Sequence, residues 1–169
     1  PHQGGDLLLL ALDQIITEFP LELIVVGRCA TEFLEKMKSA TSEALWQRIR
    51  FKNELTSADI AEELAVATMM VLPTRADTGP MAVKEAVVAG VPVVASAVGG
   101  ITDYVFPGEN GYLFPSGNLD ACISAIKAAC RHPLFSQGLV EAATLVKMRD
   151  YLSPELMGRR FLETYQLVK

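Results

Sequence analysis

The chain has 169 residues, half of them hydrophobic, with a formal net charge of −5. That length gives one domain that buries roughly 70% of its unfolded surface without needing a disulfide or metal staple. The acidic balance and the lack of any basic block exclude the electrostatic footprint of a nucleic-acid binder, and no apolar run is long enough to cross a bilayer.

The chain opens on Pro1-His2-Gln3-Gly4-Gly5, with no initiator methionine and no signal peptide, which predicts a piece of a longer protein. Asp6 is placed to cap a first helix over residues 6–18. Residues 21–27 read as a short apolar strand ending in Gly27, and 31–48 as one amphipathic helix with Glu32, Glu35 and Lys36 on its polar face. Trp46 falls among apolar neighbours and reads as core. A second short strand, 49–53, carries Lys52 and Asn53 near its carboxyl end, and Ser57 caps the helix that follows. Residues 69–74 and 91–96 are strands on either side of a helix over 80–89. Gly99-Gly100 opens a short helix, and residues 107–111 form a turn before a strand at 112–114. Helices over 120–131, 136–149 and 154–168 finish the chain.

Strands alternating with helices define an α/β fold: a Rossmann-like parallel sheet sandwiched by helices. Such sheets bind ligands at the carboxyl ends of their strands. The loops Gly27-Arg28, Asn53-Glu54, 75–79 and 97–100 all fall there. Pro80 suits the first helical position because its missing N–H has no partner there anyway. The amides of Met81 and Ala82 then face outward with the positive end of the helix dipole, which makes an anion site. Glu85, one turn further on among Ala82, Val83, Ala86, Val87 and Val88, is expected in a mostly buried helix. There it either binds vicinal hydroxyls such as those of a ribose or pairs with Lys84 or Arg75. Cys29, Cys122 and Cys130 lack metal spacing and read as reduced packing residues, and His2 and His132 as surface residues. No metal or other cofactor is expected, and cysteines read as reduced packing residues fit a cytoplasmic protein.

Asp77 and Glu85 stand eight apart, followed by Ala89-Gly90-Val91-Pro92-Val93-Val94-Ala95-Ser96, Gly99-Gly100 and Gly108-Glu109-Asn110-Gly111. In that order these resemble the E-x7-E motif, the glycine-proline strand and the G-x-N-G turn of retaining GT-B glycosyltransferases of family 4, the glycosyl transferases group 1 type. Gly4-Gly5-Asp6-Leu7-Leu8 resembles the opening of their C-terminal, donor-binding domain. The resemblance covers essentially residues 1–169, ending in helices at about 136–169, and implies that an N-terminal acceptor-binding domain is absent. It gives Glu85 the donor ribose and Asp77 the sugar hydroxyls and reaction centre. Gly79, Met81 and Ala82 receive the diphosphate, Lys52 and Asn53 the neighbourhood of the base, and Gly27, Arg28, Gly99 and Gly100 complete the donor site. The implied activity is hexosyl transfer from a UDP-, GDP- or ADP-sugar to a glycan or lipid acceptor, with peripheral membrane association of the full-length protein as a possibility.

Three departures stand out. Asp77 is one methylene shorter than the family's glutamate, Pro80 replaces a glycine, and Gln3 stands where the family has a lysine that neutralises the diphosphate. Lys52, Arg28 and Arg75 are the cations able to compensate; each also reads as solvated surface charge. Three other readings remain: a non-catalytic or regulatory nucleotide-sugar-binding domain, a GT-B sugar-nucleotide epimerase, and a dinucleotide-dependent oxidoreductase. The last requires a G-x-G-x-x-G turn that Val25-Val26-Gly27-Arg28-Cys29-Ala30 does not supply.

Overall fold

The computed structural model describes residues 3–167. His2 and the end of the last expected helix, Val168, lie outside them. In chain order the elements are α1 (Gly5–Ile15), β1 (Leu23–Val26), α2 (Thr31–Ala40), α3 (Glu43–Trp46), β2 (Ile49–Lys52), α4 (Ser57–Val66), β3 (Met70–Leu72), α5 (Met81–Ala89), β4 (Val93–Ser96) and a 3-10 turn (Gly99–Asp103). Then come β5 (Gly111–Phe114), α6 (Leu119–Arg131), a second 3-10 turn (Phe135–Gln137), α7 (Ala142–Tyr151) and α8 (Pro154–Leu167).

All the strand pairs are parallel, as the alternation of elements required. They form two sheets rather than one continuous sheet: β1 with β2, and β3-β4-β5 with β4 in the centre. Every residue of β4 is buried. Its side chains alternate between two cores, as a pleated strand dictates. Val94 joins Leu7, Leu12 and Ile15 of α1 and Ile126 of α6 on one face. Val93 and Ala95 join Val83 and Val87 of α5, Ile101 and Met148 on the other. The sandwich is incomplete over β1, where Ile24 and Val26 stay exposed. The helix that follows β2, α4, buries no residue fully, and its Leu64 packs into the second core instead.

Local chemistry decides where the elements start and stop. α1 begins at Gly5, and its cap is Gly4, not Asp6. Gly4 has φ +70°, and a Cβ there would lie 1.8 Å from the Pro73 carbonyl oxygen, so only glycine fits. The helix expected over 31–48 is broken in two. Thr41 Oγ1 donates to the Met37 carbonyl, and Ser42 caps α3 while its own amide donates to Asp13 Oδ1. Thr56 rather than Ser57 caps α4, through a reciprocal capping box with Asp59. The helix expected from 136 starts six residues later, because Gly138 in the left-handed region ends the second 3-10 turn. Among the described residues no helix is long and apolar enough to cross a membrane.

Candidate functional site

The carboxyl ends of β3, β4 and β5 share one edge of the three-stranded sheet, and the loops leaving them meet there. The loop after β3 is fixed first. Thr74 is buried, its hydroxyl donates to the Ala76 carbonyl at 3.0 Å, and its own carbonyl accepts from Ser116 Oγ at 3.2 Å. The next turn of this loop rests directly on the glycine pair. A Cβ on Gly99 would lie 1.7 Å from the Asp77 carbonyl oxygen, and one on Gly100 would lie 2.8 Å from that of Thr78. Gly99-Gly100 is therefore the seat that lets the loop carrying Asp77 and Gly79 approach the sheet edge. Asp77 is half-buried, and its Oδ1 accepts the Gly79 amide at 2.9 Å. This side-chain turn closes the loop on itself.

Pro80 is one position earlier than expected: it is the cap of α5, in extended conformation, and its carbonyl accepts from the Lys84 amide. The free amides of a helix belong to its first residues, here Met81, Ala82 and Val83. Glu85 is not buried. α5 hides Val83, Ala86 and Val87 against the second core and leaves Met81, Ala82, Glu85 and Ala89 exposed on the opposite face. Apolar composition alone does not make a helix covered on every side, and here only one face of α5 is. Neither proposed ion pair of Glu85 forms: Arg75 makes a bidentate pair with Asp6, 2.8 Å on each arm. That guanidinium holds the Asp6 carboxyl below the usual carboxylate range.

The structure thus brings Asp77, Gly79, Met81, Ala82, Gly99 and Gly100 together, with Glu85 one turn along the open face of α5. Gly27, Arg28, Lys52 and Asn53 form a second group, at the carboxyl edge of the β1-β2 sheet. Gly27 donates its amide to the Lys52 carbonyl at 2.9 Å. Arg28 pairs with Glu54, and Lys52 with Glu63. Among the described residues no hydrogen bond or ion pair joins this group to the first.

Lys84, in sequence only a candidate partner for Glu85, has a distinct place in the structure. Its ammonium sits 5.0 Å from the centroid of the Tyr104 ring and 3.8 Å from where a Cβ on Gly79 would stand. The available signal was its position in the first turn of α5. Three other features are structural. Asn110, in the G-x-N-G turn, is buried; its Oδ1 accepts from Phe106 N and its Nδ2 donates to the Tyr104 carbonyl. His132 is half-buried and stacked on Phe135, with Nδ1 accepting from the amides of Leu134 and Phe135. Burial pushes the Cys122 thiol up to about 11, so it stays a protonated core residue. A shallow cavity of about 310 Å³, lined by Thr102, Asp103, Phe106, Lys147, Met148 and Tyr151, lies between the first 3-10 turn and α7; none of the expected site residues lines it.

Comparison with known proteins places this geometry. The family model for glycosyl transferases group 1 matches residues 1–132. Phosphatidyl-myo-inositol mannosyltransferase of Mycobacterium leprae is 28% identical over 171 residues, covering 99% of this chain and 44% of that protein. D-inositol 3-phosphate glycosyltransferase of Frankia alni is 30% identical over 122 residues, covering 67% of this chain and 30% of that protein. Among solved structures, Anabaena Alr3699/HepE in complex with UDP superposes with a TM-score of 0.82 at 21% identity, covering 98% of this chain and 46% of that one. Sucrose-phosphate synthase of Thermosynechococcus elongatus gives 0.80 at 24% identity, covering 99% and 42%. The chain spans less than half the length of each of these proteins. With its parallel α/β layers and the match over residues 1–132, the chain belongs to the glycosyl transferases group 1 family and corresponds to the C-terminal half of the GT-B arrangement.

Proposed function

We propose that this chain is the nucleotide-sugar-binding half of a retaining hexosyltransferase, taking a hexose from a nucleoside-diphosphate donor. The observation that carries this reading is the loop 77–80 seated on Gly99-Gly100. It delivers the free amides of Met81 and Ala82, at the positive end of α5, to the carboxyl edge of the sheet. Glu85 then stands exposed on the open face of α5, about 6 Å along the helix axis from Met81 at 1.5 Å per residue. A carboxylate there is suited to accept two hydrogen bonds from vicinal ribose hydroxyls. Asp77, held at the mouth of the loop, faces the donor sugar in this reading. Stabilising the charge that grows on the leaving diphosphate is the main electrostatic task of the site. The names of the relatives point to an acceptor of the inositol or glycolipid kind, met through the half of the protein outside this chain.

The test is a calorimetric titration of the chain with UDP, GDP, ADP and their glucose conjugates, repeated on Glu85→Ala. Saturable binding of one nucleotide, weakened at least about tenfold in the variant through loss of charge-assisted hydrogen bonds, is the expected result. No binding at millimolar ligand overturns the reading. A second reading, a domain that binds nucleotide sugar without transferring it, is favoured by one observation: Asp77 is turned back onto the Gly79 amide. Transfer by the full-length enzyme that survives Asp77→Asn unchanged would show that this carboxylate serves only the loop.

A further inference from the structure

Four cations stand on or beside the loops at the carboxyl ends of the strands, and three of them are already neutralised. Arg28 is paired with Glu54, Lys52 with Glu63, and Arg75 with Asp6 in a bidentate clasp. Lys84 is different. Among the described residues it makes no ion pair; its half-buried side chain is held instead over the Tyr104 ring, beside the backbone of Gly79.

That placement is electrostatically adverse for a cation. Lys84 occupies the first turn of α5, close to the free amides of Met81, Ala82 and Val83, where the helix dipole is positive and a carboxylate would be the favoured neighbour. Tyr104 restrains the ammonium without cancelling its charge, since a ring quadrupole carries none. An anion in front of these amides would relieve the repulsion and make a charge-assisted hydrogen bond with the amine.

We infer that Lys84 is the cation that receives the diphosphate of the bound nucleotide at the start of α5. The inference rests on the donor-site reading above and adds to it the residue that supplies the fixed positive charge. Lys84 therefore discriminates between ligands by their phosphate charge: it favours nucleoside diphosphates over monophosphates and leaves base recognition to other residues.

The experiment is a titration of the whole chain, unaltered and as Lys84→Met, Lys84→Gln and Lys84→Arg, with a nucleoside and its mono- and diphosphate in each base series. The expected result is a loss of about tenfold or more in diphosphate affinity for Lys84→Met and Lys84→Gln. Nucleoside affinity should hold within about twofold, and Lys84→Arg should keep most of the diphosphate affinity. The midpoint of thermal unfolding of the ligand-free Met variant should be unchanged or higher, because an unfavourable charge has been removed. An unchanged diphosphate Kd in a folded Met or Gln variant overturns the assignment and leaves the donor reading standing. So does an equal loss for nucleoside and diphosphate. A lowered midpoint with unchanged affinity would make Lys84 a prop for Tyr104 only. Failure of the unaltered chain to bind any nucleotide overturns both readings.

Discussion

At the scale of single residues, the site depends on two glycines that never need to touch a ligand. Gly99 has φ +50° and lies under the Asp77 carbonyl. Gly99→Ala must therefore both strain the backbone and displace the loop, at a cost of about 2–4 kcal/mol. A urea titration measures it, and a shift below about 0.5 kcal/mol would show that the loop gives way freely. Asp6 offers a pH test. Its folded pKa is lowered by Arg75, so its contribution is complete above the usual carboxylate range and is lost as pH falls through the lowered value. The difference in urea midpoint between the chain and Asp6→Asn should be present at pH 6 and shrink as the pH falls below the usual carboxylate range. The spacing of Asp77 and Glu85 was legible because it is a matter of sequence. The exposure of Glu85 was not, since it depends on what covers α5. The role of Tyr104 beneath Lys84 was equally hidden, because twenty residues separate them and only the fold brings them together.

At the scale of elements, hydrophobic periodicity located the helices and strands, and the capping chemistry set their ends. Asn118 illustrates the second half of that rule. Its Oδ1 accepts the Ala121 amide at 3.0 Å and starts α6. Asn118→Ala should cost about 1 kcal/mol of stability, read from the shift in urea midpoint, and leave nucleotide affinity unchanged. Where an observed end differs from the expected one, either a side chain competed for the backbone or a left-handed glycine turned it. Thr41 and Ser42 split 31–48 in this way, and Gly138 stopped the second 3-10 turn before α7. These competitors were visible as residue types. Which of them won depended on partners elsewhere, such as Asp13 for Ser42.

At the scale of the whole molecule, the parallel α/β architecture followed from the order of elements, and the division into two sheets did not. Nothing in the apolar runs of β1 and β3 says whether the two strands hydrogen-bond to each other. Among the described residues, apolar side chains stay open on β1, where Ile24 and Val26 are exposed, and on α8, where Met157, Phe161, Leu162 and Tyr165 are exposed. Because Phe161 is exposed in this chain, Phe161→Ser should change its stability by less than about 0.5 kcal/mol. A larger loss in thermal or urea unfolding would mean that α8 packs more tightly than the structure shows.

The seating of α1 against α6 has a consequence for how the chain is made. Glu18, just after α1, bonds to Lys127 and Arg131 at the far end of α6, more than a hundred residues later. Leu7, Leu12 and Ile15 find their cover in the same place. Synthesis delivers the chain from its amino end at about 5–20 residues per second. α1 therefore leaves the ribosome several seconds before the surface that buries it exists. During that interval, between the synthesis of Ile15 and that of Arg131, the apolar stripe of α1 is open to chaperones or to a neighbouring nascent chain.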